Sequence, residues 1–154
     1  MIIGIDPGPE SGKVGVIYEL YGGGFSAKEY GGDQERIMST LDNILLGSDD
    51  LQDVIIVESV QPYGKRPLSK VIIQTIELVG MVKEFCRERG TPYHVASWPV
   101  HAQYLCAKQG MVKDRDVRLA LESTYGKDKL KKWGVTNSHT RTALSLVHWY
   151  RGTM

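Results

Sequence analysis

The stretch that decides the fold is MIIGIDPGPESGKVGVI, residues 1–17. The apolar run at residues 2–5 predicts a buried strand, and this strand ends on a single carboxylate, Asp6. Pro7-Gly8-Pro9 then breaks the strand, and a second apolar run begins at Val14. The connection is too short for a parallel crossover, which needs about a dozen residues, so the two strands are predicted to be antiparallel neighbours.

Further apolar patterns extend this beginning into a mixed sheet. A turn at residues 22–24 and a run from Phe25 predict a third strand and an antiparallel meander. A helix capped by Asp33 leads to a fourth strand, Val54 to Glu58, which can lie parallel to the first. The remaining predicted elements are a long helix at 67–89, a strand at 93–96, and helices near 100–108, 116–125 and 138–150. This order predicts an α/β fold with a five-stranded mixed sheet flanked by helices.

Composition limits the class of protein. The chain has 154 residues, of which 42% are hydrophobic, and this suits one domain spanning 1–154. The net charge of +1 predicts neither a nucleic-acid nor a membrane partner, so any basic surface must be local. No apolar run reaches the ~18 residues of a membrane span. Cys86 and Cys106 lack CxxC spacing, and Met1 leads directly into a strand, so we expect free thiols, no signal peptide and a cytoplasmic location.

Two strands of the predicted sheet end on an acid. Asp6 closes the first strand on the face of Gly4, and Glu58 closes the fourth on the face of Ile56. Parallel neighbours bring their carboxyl ends to one edge of the sheet, where α/β proteins bind ligands. Two close carboxylates repel each other unless a cation lies between them, and oxygen ligands suit Mg²⁺ or Mn²⁺. The alternative is that each acid is a solvated strand end.

The last predicted helix offers a third candidate, His139, in its first turn. Helical spacing puts His139 on the side of Ala143 and Leu146, so its imidazole is expected to point toward the sheet. A capping or core role is the alternative for this residue. The other histidines are interpreted as strand surface, helix surface and helix packing, in the order His94, His101 and His148.

Taken in order, these features resemble the RuvC family of Holliday-junction resolvases, which have the ribonuclease H fold. IIGIDPGPESGKVGVI (2–17) resembles the family's opening strand and turn. VIIVESVQPYGKRPLSKVIIQTIELVGMV (54–82) resembles its acid-tipped strand, loop and long helix. YHVASWPVHAQYL (93–105) and VKDRDVRLALESTYG (112–126) resemble later elements, and SHTRTALSLVHWY (138–150) lies where the family closes with two metal-binding positions. The resemblance runs from end to end and implies one ribonuclease H-like domain.

The resemblance carries the family's metal ligands onto this chain with one departure. Asp6 and Glu58 fall on the first two metal-binding acids, and His139 falls on the third, where some members have histidine. Thr142 falls on the fourth, where an aspartate is expected. A neutral hydroxyl is a weak ligand that does not offset a dication's charge. The departure therefore implies weaker binding of at least one ion, with activity that is reduced, more dependent on Mn²⁺, or absent.

The reaction that the resemblance implies is metal-dependent phosphodiester hydrolysis in four-way DNA junctions. Two Mg²⁺ or Mn²⁺ ions about 3.5–4 Å apart would bridge the scissile phosphate. Asp6 would be shared by both ions and Glu58 would hold one, while His139 would hold the other or orient the attacking water. Gly8 and Gly12 are expected to let the backbone turn beside Asp6 and leave room for a phosphate.

Local clusters of basic residues are the candidates for DNA binding. The loop after Glu58 combines basic side chains with an aromatic one that suits stacking on an unpaired base. The predicted DNA-binding residues are Tyr63, Lys65, Arg66, Lys70, Lys113 and Arg115. Four lysines at 127–132 form a further basic cluster. For each cluster the alternative is an ordinary solvated surface.

The symmetry of a four-way junction also predicts an oligomer. A C2 homodimer would present two active sites to the two-fold junction. The helix at 67–89 is a candidate interface, because Ile73, Ile76 and Met81 add apolar surface beyond its buried stripe, unless they pack in the chain's own core. Two other functions stay open: a catalytically impaired junction-binding protein, and another ribonuclease H-fold nuclease acting on branched DNA or RNA. No nucleotide cofactor is expected, since 154 residues are too few for two phosphate-binding lobes.

Overall fold

The computed structural model describes residues 1–8, 13–31, 33–48, 52–59 and 69–154. The strands are β1 (Ile2–Asp6), β2 (Lys13–Glu19), β3 (Phe25–Gly31), β4 (Val54–Ser59) and β5 (Tyr93–Ser97). The helices are α1 (Gln34–Leu46), α2 (Lys70–Arg89), α3 (Trp98–Cys106), α4 (Asp114–Tyr125), α5 (Lys127–Trp133) and α6 (Ser138–Thr153). Within these ranges, no helix combines the length and apolarity needed to cross a membrane.

The strands form one five-stranded sheet in the order β3-β2-β1-β4-β5. β1 and β2 are antiparallel, as are β2 and β3, while β4 lies parallel to β1 and β5 parallel to β4. The predicted mixed sheet is therefore confirmed. The two strands that end on acids are neighbours at its centre, with Ile5 of β1 in register with Val57 of β4.

Helices cover both faces of the sheet, and the alternation of strand side chains decides which residues meet which helices. Ile3 and Ile5 of β1 pack in a core with side chains of α1 and α2. On the opposite face, Val54 and Ile56 of β4 pack against Leu146 of α6. The even-numbered positions of β1 and β4, and with them both strand-end acids, therefore lie on the face that α6 covers.

Two glycines let α6 lie directly on the sheet. A Cβ atom on Gly4 of β1 would be 2.5 Å from the carbonyl oxygen of Ala143. A Cβ atom on Gly15 of β2 would collide with the carbonyl oxygen of His139. Any larger residue would displace the helix backbone, because both contacts are to main-chain atoms. The glycines thus fix the distance between the first turn of α6 and the end of β1.

We expect Gly15→Ala to lower the free energy of unfolding by about 1–3 kcal/mol, the usual cost of overpacking. The matched control is Gly80→Ala in α2, where a Cβ atom would meet nothing within 4 Å. That change should raise stability by about 0.5–1 kcal/mol, because alanine favours a helix over glycine. Urea unfolding of the two variants measures both effects, and equal stabilities would contradict the close approach of α6.

The start of α2 and the presence of α5 differ from the sequence prediction. α2 begins at Lys70, later than predicted, and its N-cap is Ser69, whose hydroxyl accepts a hydrogen bond from the Ile72 backbone. Pro67, which was expected in its first turn, lies outside the described residues. α5 was not predicted as a helix. Its sequence KDKLKKW buries only Leu130, so it has no repeated apolar spacing to reveal it.

The two cysteines are free thiols, as expected. Cys86 is fully buried in the core beneath α2, and this burial raises the pKa of its thiol to about 11. Cys106 is half-buried at the end of α3, and burial also raises its pKa. Neither thiol has the lowered pKa of a reactive cysteine. The cytoplasmic location stays a prediction.

Candidate metal centre

Asp6 is held in a fixed orientation at the carboxyl end of β1. The side chain is 4% exposed, and its Oδ1 accepts a hydrogen bond of 2.9 Å from the backbone N–H of Gly8. Gly8 has a φ of +58°, and a Cβ atom there would collide with the Lys13 carbonyl oxygen. The turn behind the acid therefore requires glycine, as expected, whereas Gly12 lies outside the described residues.

Glu58 lies at the matching end of β4 and is 7% exposed. The pairing of Ile5 with Val57 puts Asp6 and Glu58 at the same level of neighbouring parallel strands. Burial raises the pKa of Glu58 to about 9, the charge of Asp6 adds to the rise, and His139 opposes it. Without a cation, the pair therefore keeps a proton on Glu58 at neutral pH.

His139 joins this pair from the first turn of α6. The helix is capped by Asn137, whose side chain accepts a hydrogen bond from the backbone of Thr140. The Nδ1 atom of His139 lies 3.0 Å from Oδ2 of Asp6. That hydrogen bond is the main cause that raises the pKa of the imidazole. The structure thus brings together the three predicted site residues, one from each of β1, β4 and α6.

A fourth side chain, His101 of α3, was missed. The prediction placed it on a helix surface, and that was wrong, because His101 is 0% exposed. Its Nε2 lies 2.7 Å from Oε2 of Glu58, and its Nδ1 lies 2.8 Å from Oγ of Ser145 in α6. Burial lowers its pKa to about 4, so the ring is neutral at pH 7. The available signal was the spacing to Leu105, since residues four apart share a helix face.

Thr142 is buried one turn after His139 in α6, and its hydroxyl is engaged within the helix. The hydroxyl donates a 2.9 Å hydrogen bond to the carbonyl oxygen of Ser138 in its own helix. Its side chain supplies no charge to the site. His139, Thr142 and Ser145 recur every three residues and form one polar stripe on α6, which contacts Asp6 through His139.

Two buried carboxylates at one edge of the sheet, Asp6 and Glu58, are the donors that a divalent cation would need here. Among the described residues, no three His, Cys, Asp or Glu side chains are arranged to hold a metal ion together. Each imidazole contacts a carboxylate instead, His139 contacting Asp6 and His101 contacting Glu58. Mg²⁺ is commonly bound by one or two carboxylates, waters and substrate phosphates, so an ion at this buried carboxylate pair would displace the proton on Glu58.

The predicted DNA-binding residues divide into two groups. Tyr63, Lys65 and Arg66 lie outside the described residues. Lys70 is exposed at the start of α2, Lys113 is exposed just before α4, and Arg115 is exposed in the first turn of α4. The lysines of α5 are exposed as well.

Comparison with known proteins finds structural neighbours only. No protein-family model matches the chain, and no curated protein matches its sequence. A structure of Thermus thermophilus RuvC is 19% identical, with a TM-score of 0.57 over 98% of this chain and 95% of that one. T. thermophilus RuvC in complex with a Holliday-junction substrate is 17% identical, with a TM-score of 0.65 over 98% of this chain and 94% of that one. At this identity the likeness confirms the predicted ribonuclease H-like fold.

Proposed function

We propose that this chain is a RuvC-like Holliday-junction resolvase, a structure-selective endonuclease that hydrolyses phosphodiester bonds in four-way DNA junctions. The observation that carries the proposal is the buried pair Asp6 and Glu58 at neighbouring strand ends, with His139 bonded to Asp6. The fold of the chain supports the proposal, because the structure of a RuvC bound to a Holliday junction superposes on 98% of its length.

The proposed cofactor is Mg²⁺ or Mn²⁺, with two ions per site. Such ions, when bound, supply Lewis acidity and a water of lowered pKa. Asp6 would hold both ions and Glu58 would hold one. His139 would either bind the other ion or orient the attacking water. Its hydrogen bond to Asp6 holds the imidazole beside that carboxylate.

DNA would be held by exposed basic side chains. Lys70, Lys113 and Arg115 are the proposed phosphate contacts that the structure describes, and all three are exposed. Tyr63, Lys65 and Arg66 complete the proposed set. Because phosphate contacts release counterions, junction affinity should fall steeply as salt is raised.

Cleavage of labelled four-way junctions tests the function. The protein is incubated with junction, linear duplex, flap or structured RNA, in Mg²⁺, Mn²⁺ or EDTA. The proposal requires paired nicks in the junction that depend on the divalent ion. Preferential cleavage of flaps or RNA would instead show another nuclease of the same fold, and no cleavage of any substrate would contradict an enzyme.

A second candidate function, a junction-binding protein without cleavage, is favoured by Thr142. Its hydroxyl is bonded to Ser138, so the position of the fourth expected ligand contributes no charge. This candidate predicts a gel shift of the junction with no nicking in either ion.

We expect Thr142→Asp to increase both Mn²⁺ affinity and the cleavage rate, by roughly 10-fold or more, because a third acid offsets more of the cation's charge. The same change should lower stability in EDTA, since it adds a carboxylate at a buried position that is 5% exposed. Isothermal titration with Mn²⁺ and urea unfolding in EDTA measure the two effects. Thr142→Asn is the matched control, because the amide has similar size without the charge. Equal Mn²⁺ affinities for the Asp and Asn variants would contradict the charge argument.

The proposed assembly is a C2 homodimer with α2 in the interface. Ile73 and Ile76 are 43% and 40% exposed on α2, while Met81 is half-buried. Sedimentation at micromolar concentration, with and without junction DNA, tests this proposal. A monomer under both conditions would contradict it, and Ile73→Asp should dissociate a dimer built on this face.

A further inference from the structure

A continuous chain of hydrogen bonds links Glu58 to α6 through α3. Both ring nitrogens of His101 are engaged, one with Oε2 of Glu58 at 2.7 Å and the other with Oγ of Ser145 at 2.8 Å. His101 and Ser145 are both 0% exposed. Burying two polar side chains this completely costs free energy, and the two hydrogen bonds compensate for that cost.

We propose that His101 is a positioning residue for the metal centre, which holds the Glu58 carboxylate in place for a divalent ion while Ser145 fixes the imidazole ring. The proposal rests on the proposed function, because it assigns Glu58 as a metal ligand. An imidazole bonded to Oε2 restricts rotation of the Glu58 carboxyl group, so that Oε1 would be the oxygen offered to an ion. Hydrogen bonds of this kind to ligand carboxylates orient them and tune metal affinity.

The link explains how the acid pair is held without an acid at position 142. Asp6 is tied to the first turn of α6 directly through His139. Glu58 is tied to the same helix indirectly, through His101 and Ser145. Thr142 lies between these two points and bonds only to its own helix. Both carboxylates are therefore oriented from the polar stripe of α6, one at each end.

The order serine, histidine and carboxylate is also that of a hydrolytic triad, but burial excludes this role. A nucleophilic serine must meet a substrate carbonyl, and Ser145 has no exposed surface. His101 therefore acts on Glu58 and not on a substrate.

The test measures Mn²⁺ affinity in the absence of DNA, by electron paramagnetic resonance and titration calorimetry, beside urea unfolding in EDTA. The variants are His101→Ala, His101→Gln and Ser145→Ala. The matched control is His148→Gln. His148 is a half-buried histidine of α6 whose Nδ1 is bonded to the hydroxyl of Tyr125 and not to either acid.

We expect His101→Ala to bind Mn²⁺ about 10–100-fold more weakly, which is the usual effect of losing a hydrogen-bond partner of a metal ligand. His101→Gln should lose less, since the amide still reaches a hydrogen-bond partner, and His148→Gln should bind as the wild type does.

A double variant separates positioning from folding. If His101 acts through Glu58, then His101→Ala should not weaken Mn²⁺ affinity further in a Glu58→Gln background. The proposal is overturned if the His101 variants unfold more easily but bind Mn²⁺ like His148→Gln. Should His101→Ala fail to fold, His101→Gln and Ser145→Ala decide in the same way. A wild-type protein that binds neither Mn²⁺ nor Mg²⁺ would instead remove the metal-dependent function itself, and with it any role of His101 toward a metal.

Discussion

Asp6→Asn is expected to reduce divalent-ion-dependent cleavage of a four-way junction by about 10³-fold or more while leaving junction binding intact. Removing one group that stabilises transition-state charge commonly costs 10²–10³-fold, and Asp6 is proposed to serve both ions. The amide keeps the size of the side chain but loses the charge that pairs with His139. Nicking assays in Mg²⁺ and Mn²⁺, with gel shifts in EDTA, measure cleavage and binding separately.

The control for this prediction is Asp128→Asn, which removes an equal charge from an exposed position of α5. It should cleave as the wild type does, so that a loss in Asp6→Asn is not a general effect of net charge. Cleavage by Asp6→Asn at the wild-type rate would show that the carboxylate pair is not the reaction centre. Loss of binding together with cleavage would place Asp6 in DNA recognition.

The sheet and its acid pair follow from local sequence patterns. Strand β1 is a short apolar run that ends on Asp6 before a glycine turn, and β4 is a second apolar run that carries Glu58 next to its last residue. The meander follows from short connections, and the parallel pairing of β4 follows from an intervening helix. These signals are periodic and lie within a few residues, which is why the positions of both acids were predictable.

The support of the acids was not predictable, because it depends on contacts between distant parts of the chain. His101 meets Glu58 across 43 residues and Ser145 across 44. The spacing of His101 to Leu105 indicates a shared buried face of α3, but it gives no sign that Glu58 lies opposite the imidazole. The basic helix α5 was missed for a related reason, since its lysines are exposed and only Leu130 contributes to the core.

Between pH 6.5 and 9, the metal-free protein is expected to lose stability as the pH rises. In the folded state the pKa of Glu58 is raised to about 9 by burial and then by Asp6, whereas the unfolded chain releases that proton near 4.5. The folded state therefore binds one more proton across this window, and the free energy of unfolding falls by about 1.4 kcal/mol per pH unit. Urea unfolding in EDTA at several pH values measures the slope.

Apart from His139, the other groups with shifted pKa values titrate mainly outside this pH window. The raised pKa of His139 acts in the same direction, because its contribution is complete below 6.5 and is lost as the pH passes its folded value. His101, lowered to about 4, is neutral in both states above 6.5 and adds a slope of the opposite sign only below that pH. Cys86, raised to about 11, acts only above its usual value of 9. The slope therefore reports on Glu58 and His139, together with the N-terminal amine, which is paired with Asp53 and also titrates in this window.

Glu58→Gln should reduce the pH slope of the free energy of unfolding by about 1.4 kcal/mol per pH unit, the contribution of one proton. The amide still offers His101 a hydrogen-bond partner but does not titrate. Asp6→Asn should end the Glu58 slope at a lower pH, since removing the neighbouring charge lowers the folded pKa of Glu58. Saturating Mn²⁺ should reverse the slope in the wild type, because an ion that binds the ionised carboxylates competes with the proton and binds better as the pH rises. A wild-type stability that is flat or rising from pH 6.5 to 9 in EDTA would mean that the two carboxylates do not share a buried site, and the case for a cation between them would lose its physical basis.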